Sequence, residues 1–209
     1  MRIKIFVLLC LTAIMQFTGV TPLKASHYYY KQLSLKDGVT SAVRCILTDK
    51  QGFVWIGTKA GISRYDGHEL KKYVHSPNNP HSIPNNLIHQ IAEDEMSNIW
   101  ILTDKGIARY QRQSDDFFLP TDEKGNPIIA YSTCLTKDGV LFGSKDKVYF
   151  YSYRDSSLRL LQKLNKGSNF NISLLSLWNE HTVLCCSRWQ GLALLDLKTG
   201  KNRLPPFAC

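Results

Sequence analysis

The side chains that could carry chemistry are spread along the chain as 17 acidic residues, six histidines and six cysteines. The histidines form no HxH or HxxxH pair, and no two cysteines have the CxxC spacing of a zinc site. Nucleophile-elbow, phosphate-loop, HExxH and dinucleotide-binding motifs do not occur in the sequence either. The pattern therefore predicts no metal site, no cofactor and no catalytic residue.

The acidic residues are better explained as turn residues than as catalytic acids. Asp49 and Asp94 occupy equivalent places in two similar segments, and each is followed six residues later by a tryptophan. A carboxylate at a turn can accept backbone N–H groups, and a catalytic residue is normally unique. We interpret these two as turn caps. The pair Asp115-Asp116 and the run at 93–95 are predicted to be solvated turn residues.

A repeat of about 45 residues explains this recurrence. DKQGFVWIGTKAGISRY (49–65) aligns with DEMSNIWILTDKGIARY (94–110) at eight of 17 positions. Two weaker copies follow at 137–152 and 181–196, with leucine in place of the tryptophan. Self-similarity at this period is typical of repeat architectures. The repeat positions are Asp49, Gly52, Trp55, Gly57, Gly61 and Tyr65 in the first copy and Asp94, Trp100, Gly106 and Tyr110 in the second.

Each unit has the pattern of four short strands joined by tight turns. Phe53–Thr58 is a β-branched and aromatic run, and Lys59–Gly61 and Asp66-Gly67 supply turn residues on its C-terminal side. No helical periodicity occurs after residue 25. The sequence predicts an all-β fold, a partial β-propeller of about four four-stranded blades whose ring is incomplete. The blades are predicted at roughly 40–75, 86–120, 128–164 and 172–204, within a domain spanning 26–209.

The tryptophans are predicted to pack between blades. A buried aromatic residue once per unit is what stacked blades need, because each blade buries its faces only against its neighbours. We therefore favour this role for Trp55 and Trp100 over a platform for a ligand. The pairs Arg64-Tyr65 and Arg109-Tyr110 recur together, which indicates a repeated structural contact.

The first 25 residues resemble a secretory signal in their order of features. Arg2 and Lys4 precede an apolar run at 5–20, and Ala25 stands where a signal peptidase would cut. The alternative is a membrane anchor, for which the run is short. Cleavage after Ala25 would leave 23 basic and 17 acidic residues, a net charge of +6 without a basic cluster. Export and the scattered charge both argue against nucleic-acid binding.

Five cysteines would remain after cleavage. Cys45, Cys134, Cys185 and Cys186 lie in apolar, strand-like contexts, which favours buried thiols. An oxidising compartment leaves one disulfide open as an alternative, and the odd count would then leave a thiol over.

LTDKQGFVWIGTKAGISRYDG and SPNNPHSIPNNLIHQIAED closely resemble the regulator-propeller repeat, and the segment between repeats, of bacterial hybrid two-component sensors. The third copy departs from this repeat by losing the tryptophan and one turn residue. The fourth has Cys185-Cys186 in place of Ile-Gly. The resemblance covers about 28–196 and implies the N-terminal fragment of a periplasmic sensor that lacks its kinase part. It carries over no short signature of ligand-binding residues.

The resemblance implies a non-catalytic, periplasmic module that senses an oligosaccharide and whose full-length relatives sit in the inner membrane. Two alternatives remain. One is a propeller enzyme such as a glycan lyase or hydrolase, since the Asp-x-x-Gly-x-x-Trp turn is similar to the Asp-box of sialidases. The other is a protein-binding scaffold, because propellers expose broad faces. The uncovered faces of a partial ring also favour pairing with another chain, such as a second copy.

Overall fold

The computed structural model describes Gln32 and residues 42–164 and 171–203. These residues form sixteen β-strands and no helix, so none of them belongs to a helix that could cross a bilayer. The strands make four separate four-stranded antiparallel sheets, which confirms the all-β fold. The predicted signal segment, Cys10 and Cys209 lie outside the described residues.

The four sheets follow one another along the chain, and each is built from consecutive strands. Sheet 1 contains β1 (Val43–Thr48), β2 (Val54–Thr58), β3 (Gly61–Tyr65) and β4 (Leu70–Tyr73). Sheet 2 contains β5 (Ile88–Glu93), β6 (Ile99–Thr103), β7 (Gly106–Gln111) and β8 (Asp116–Phe118). Sheet 3 contains β9 (Ser132–Thr136), β10 (Gly139–Ser144), β11 (Lys147–Ser152) and β12 (Leu158–Lys163). Sheet 4 contains β13 (Ile172–Asn179), β14 (Thr182–Ser187), β15 (Gly191–Asp196) and β16 (Asn202–Arg203).

The pairing register repeats from sheet to sheet. Trp55 lies opposite Arg64, and Trp100 lies opposite Arg109. The same place in sheet 3 pairs Leu141 with Phe150. Each sheet has two ends, which we name by their turns. The aspartate end carries the turns between its first and second and its third and fourth strands, and the glycine end carries the turn between its second and third strands.

Glycine is required at the glycine end of sheet 1. Gly61 has a φ of +113°, and a Cβ atom there would lie 2.5 Å from the carbonyl oxygen of Tyr73. The preceding Thr58 hydroxyl donates to the Gly61 carbonyl at 2.9 Å and accepts from the Ala60 amide at 2.9 Å. These contacts explain why threonine and glycine recur together three residues apart, as Thr103 and Gly106 do in sheet 2.

The core lies between successive sheets. One apolar cluster joins sheets 1 and 2, a second joins sheets 2 and 3, and a third joins sheets 3 and 4. Trp55 and Trp100 are fully buried in the first two clusters. Because the strands are apolar on both faces, each middle sheet contributes side chains to two clusters.

The two terminal sheets keep large apolar side chains exposed. In sheet 1, Val43 and Ile46 of β1 are exposed. In sheet 4, β13 exposes Leu174 and Trp178. Apolar strands of this kind are normally covered by a neighbouring blade.

Four of the cysteines lie on strands, as free thiols: Cys45 on β1, Cys134 on β9, and Cys185 and Cys186 on β14. The neighbours on β14 point to opposite faces, and only Cys185 is fully buried. Burial and nearby thiols raise the pKa of Cys185 to about 12, which leaves it unreactive at neutral pH.

Candidate ligand-binding cleft between sheets 3 and 4

The contact between sheets 1 and 2 is closed by aromatic side chains. The Trp55 ring lies edge-on to Tyr110 of sheet 2, with the ring centroids 4.8 Å apart. Its indole N–H donates to Asp49 at 3.0 Å. Trp100 repeats this arrangement, edge-on to Tyr151 of sheet 3 at 4.8 Å and donating to Asp94 at 2.8 Å. The repeated tryptophan therefore binds its own turn and packs on the next sheet.

Both aspartates also cap their turns. Asp49 accepts from the backbone amides of Gln51 and Phe53 at 3.0 Å, and Asp94 accepts from the amide of Asn98 at 2.8 Å. Gly52, in the turn that Asp49 caps, has a φ of +87°. The sequence spacing indicated the turn caps, whereas the bond from the indole to the carboxylate was missed. Its signal is the fixed separation of six residues between the aspartate and the tryptophan.

The repeated Arg-Tyr pair connects one sheet to the next. Arg64 donates to the Tyr110 hydroxyl, and Arg109 donates to the Tyr151 hydroxyl at 2.5 Å. Each guanidinium also lies over the ring of its own sheet's tryptophan, at 5.9 Å and 6.0 Å from the centroids. The Tyr65 hydroxyl donates to the Gly67 carbonyl at 2.5 Å.

Asp115 is the central acceptor at the aspartate end of sheets 1 and 2. It accepts from the hydroxyls of Tyr73 and Tyr110 at 2.6 and 2.5 Å, from Lys71, and from Arg64 at 3.3 Å. Partial burial alone would raise the pKa of Asp115, but these hydrogen bonds and the arginine charge lower it to about 2. The prediction that this residue is a solvated turn residue is wrong, because it bridges two sheets.

The interpretation of the acids at 93–95 as solvated is also wrong for two of them. Asp94 is 1% exposed, and the Glu93 side chain is 7% exposed. Arg112, which follows β7, lies 3.7 Å from Glu93 and donates to Asp49 at 3.1 Å. Burial would raise the pKa of Asp49, but its bonds from Trp55, the turn and Arg112 lower it below its usual value.

Sheets 3 and 4 lack this set of contacts. Leu141 replaces the tryptophan, and Phe150 replaces the arginine opposite it. In sheet 4, Leu195 stands where sheet 2 has Tyr110. Leucine side chains fill the middle of the contact, since Leu141 and Leu195 are fully buried. They supply neither the ring area nor the hydrogen bonds that close the first two contacts at the aspartate end.

A cleft of about 1110 Å³ opens at this place. Phe150, Leu161, Leu177 and Leu197 form apolar surface within it. Its polar residues come from the turns at the aspartate end of both sheets and from the adjoining strand ends. They are Thr136, Lys137, Asp138, Ser152, Tyr153, Arg154, Arg159, Asn179, Glu180, His181 and Lys198.

The polar residues of the cleft carry both signs of charge. Lys137 and Glu180 join the two sheets by an exposed ion pair of 2.8 Å. The guanidinium of Arg159 lies over the Phe150 ring, 5.7 Å from its centroid. An aromatic and aliphatic floor with several donors and acceptors around it is typical of small-molecule sites. The arrangement can bind a polar ligand that also has an apolar face.

The described residues contain no group of three or more histidine, cysteine, aspartate or glutamate side chains that could hold a metal ion. The ten repeat positions named from the sequence do not form the cleft. They lie at the contacts between sheets 1, 2 and 3 and in the turns of sheets 1 and 2. The residues that line the cleft instead come from the two degenerate copies, where the repeat pattern is lost.

Comparison with known proteins agrees with the repeat. The family model described as two component regulator propeller matches residues 37–60. Histidine kinase P4 of Formosa agariphila is 37% identical over 59 residues, which are 28% of this chain and 4% of that protein.

Solved structures with a similar fold include two extracellular domains of candidate hybrid two component systems from B. thetaiotaomicron. They have TM-scores of 0.62 and 0.66 and identities of 22% and 17%, over 84% and 83% of this chain. This chain spans 23% and 26% of their lengths.

A virginiamycin B lyase from Staphylococcus aureus is also similar, with a TM-score of 0.58 and 16% identity over 85% of this chain and 60% of the lyase. The identities are low enough that these likenesses show the propeller fold alone. The chain therefore has the repeated four-stranded sheets of a β-propeller, and its residues 37–60 match the two component regulator propeller family.

Proposed function

We propose that this chain is the ligand-binding part of an extracytoplasmic sensor and that it binds an oligosaccharide in the cleft between sheets 3 and 4. The observation that carries the proposal is the cleft itself. Within a propeller repeat that is tightly closed at two contacts, the third contact is open and lined by an aromatic ring and polar side chains. The regulator-propeller match supports a role in sensing.

The chemistry of the cleft suits a short sugar chain. Its volume of about 1110 Å³ lies just above the usual range of ligand pockets, which is roughly 300–1,000 Å³. The C–H face of a sugar ring can pack on the apolar surface that Phe150 forms with Leu161 and Leu177, while its hydroxyls reach polar groups such as the Arg159 guanidinium. Because the cleft has both donors and acceptors, it can satisfy the hydroxyl groups that a sugar buries.

Substituting the cleft's aromatic ring tests the proposal. Phe150→Ala is expected to weaken binding of a neutral tetrasaccharide by about tenfold or more, because about 1.4 kcal/mol of apolar contact is lost. Calorimetric titration of the full chain with a panel of gluco-, galacto- and arabino-tetraoses would measure it. Phe118→Ala is the matched control, since an arginine also covers Phe118 (Arg109 at 5.1 Å) but the residue lies in sheet 2. Equal affinities for Phe150→Ala and the wild type would contradict the proposal.

An enzymatic role is the second candidate, because a propeller lyase shares the fold. Analysis of the sugars in the same titrated samples distinguishes a sensor from an enzyme. A sensor should return every tetrasaccharide intact after prolonged incubation, whereas a lyase or hydrolase should release shorter products with new ends. Mass spectrometry of the recovered sugars decides between them, and turnover would replace the sensor proposal.

Export is the expected route to the periplasm. In a Gram-negative host, mature protein in the periplasmic fraction should begin at Ser26, because the charged, apolar and small-residue regions precede Ala25 in order. N-terminal sequencing of that fraction checks this. A chain that keeps Met1 and stays in the inner membrane would contradict cleavage and support the alternative of an anchor.

The same proposal includes the rest of a sensor as partner. The exposed apolar residues of β1 and β13 would be covered by further blades, or by a second copy of the chain. Signal output would then belong to a kinase part outside these residues, as in the full-length proteins that carry this repeat.

A further inference from the structure

A second, smaller cleft of about 440 Å³ lies at the glycine end of sheets 3 and 4. It is opposite the larger cleft, since its residues come from the starts of the first strands and from the turns between second and third strands. No residue lines both clefts. The polar and aromatic residues of the smaller cleft are Tyr131, Lys145, Asn171, Ser173, Arg188 and Trp189.

The turn that forms one wall of this cleft departs from the repeat. Sheets 1, 2 and 3 have two residues between the second and third strands, whereas sheet 4 has three, at 188–190. Ser187 contacts the Gln190 side chain and holds the base of the longer turn. Arg188 and Trp189 are thereby placed at its tip.

The tip exposes an aromatic side chain that the fold does not use. Trp189 is 81% exposed, while Trp55 and Trp100 are fully buried. Tyr131, across the cleft, is 40% exposed. Exposed apolar surface that is contiguous and rimmed by polar residues marks interaction sites and ligand-binding grooves.

The cleft is also positively charged. Among the described residues, neither Lys145 nor Arg188 forms an ion pair, and the segment NKGSNF at 165–170 contributes no acid. Two acids have contacts next to these residues: Asp146, which follows Lys145 in the turn, lies 3.4 Å from Lys163, and Asp104 lies 2.6 Å from His89, whose ring packs on Tyr131.

Two cations and two aromatic rings around one cleft suit a ligand that combines an oxyanion with a ring. We infer that the smaller cleft binds an acidic glycan, with Lys145 and Arg188 holding its carboxylate or sulfate and Trp189 and Tyr131 packing on its ring. Arginine binds planar or tetrahedral oxyanions through paired N–H donors, and lysine adds a second point charge. The inference rests on the proposed function for the choice of a sugar as the ring, but it concerns a separate site.

Titration of the full chain with matched sugars tests this inference. The probes are tetragalacturonate, the uncharged galactotetraose of the same length, and a chondroitin sulfate tetrasaccharide. Tryptophan fluorescence and calorimetry should show tetragalacturonate binding at least about tenfold more tightly than galactotetraose, and more weakly as salt rises from about 50 to about 500 mM. The sulfated probe shows whether sulfate improves on carboxylate. Failure of both acidic probes to bind more tightly than galactotetraose would overturn the inference.

Three variants locate the site. Trp189→Ala and the double variant Lys145→Gln/Arg188→Gln should abolish the preference for acidic sugars. Lys59→Gln should not, although Lys59 holds the same place in the turn of sheet 1. Because every substituted residue is exposed, these variants should have the melting temperature of the wild type.

The larger cleft provides the remaining control. If Phe150→Ala removes acidic-sugar binding and Trp189→Ala does not, the inference fails while the proposed function stands. If Phe150→Ala affects only neutral sugars, the two sites are separate, as inferred. If Phe150→Ala leaves neutral binding unchanged while Trp189→Ala abolishes acidic binding, the proposed cleft fails and the inference stands.

Discussion

Replacing Trp100 by alanine is expected to lower the free energy of unfolding by about 3–5 kcal/mol. The indole is fully buried and packs on Phe142 and Tyr151 of the next sheet at centroid distances of 5.1 and 4.8 Å. Its removal leaves a large cavity between two sheets. It also removes a donor from Asp94, a carboxylate that is 1% exposed. Trp55→Ala should cost a similar amount for the same reasons.

Urea unfolding followed by far-ultraviolet circular dichroism measures this loss. Trp189→Ala is the matched control, because it removes the same side chain from a site that is 81% exposed. Its effect should stay within about 0.5 kcal/mol. A Trp100→Ala protein as stable as this control would show that the sheets do not depend on the repeated tryptophan for their packing.

The positions of these tryptophans could be predicted from sequence because they depend on the repeat within one unit. An offset of 45 residues aligns both the tryptophan and the aspartate six residues before it. Contacts between units could not be read in this way. Arg64 meets Tyr110, which lies 46 residues away, only because the two sheets dock at one angle and height. The local sequence pattern of neither segment predicts how the two sheets dock.

The candidate cleft shows a second limit of sequence reasoning. Leucine at 141 and 184 signals that aromatic volume is lost in the last two copies. Neighbouring sheets can respond by moving together or by leaving a gap, and the sequence does not distinguish these responses. In the structure both occur, since Leu141 is fully buried while the aspartate end of the same contact remains open.

Asp115 was misjudged from sequence because two adjacent acids in a turn are usually solvated. Its donors Lys71 and Tyr73 belong to β4 of the preceding sheet, more than 40 residues earlier. Its φ of +56°, which aspartate tolerates better than most residues, turns it toward them. The contact is thus visible only after the two sheets are placed.

Asp115→Asn is expected to lower the free energy of unfolding by about 2–3 kcal/mol near neutral pH. Breaking a buried ion pair costs about 3–5 kcal/mol, and the 30% exposure of this side chain reduces the effect. Asparagine keeps the shape and the tolerance for positive φ, so the loss reports the charge. Asp66→Asn is the control, since Asp66 is an exposed turn residue of sheet 1. It accepts from the amides of His68 and Glu69, and its substitution should change stability much less.

The effect of Asp115→Asn should also depend on pH in a defined direction. The folded pKa of Asp115 is lowered to about 2, below the value of about 3.9 that aspartate has in unfolded chains. A carboxyl with a lowered folded pKa stabilises the fold above its unfolded pKa, and this contribution is lost as the pH falls through the folded pKa. The difference between wild type and Asp115→Asn should therefore be largest above about pH 5 and should shrink between about pH 4 and pH 2. Urea titrations across this range measure it, and a difference that stays constant would show that Asp115 acts through its shape rather than its charge.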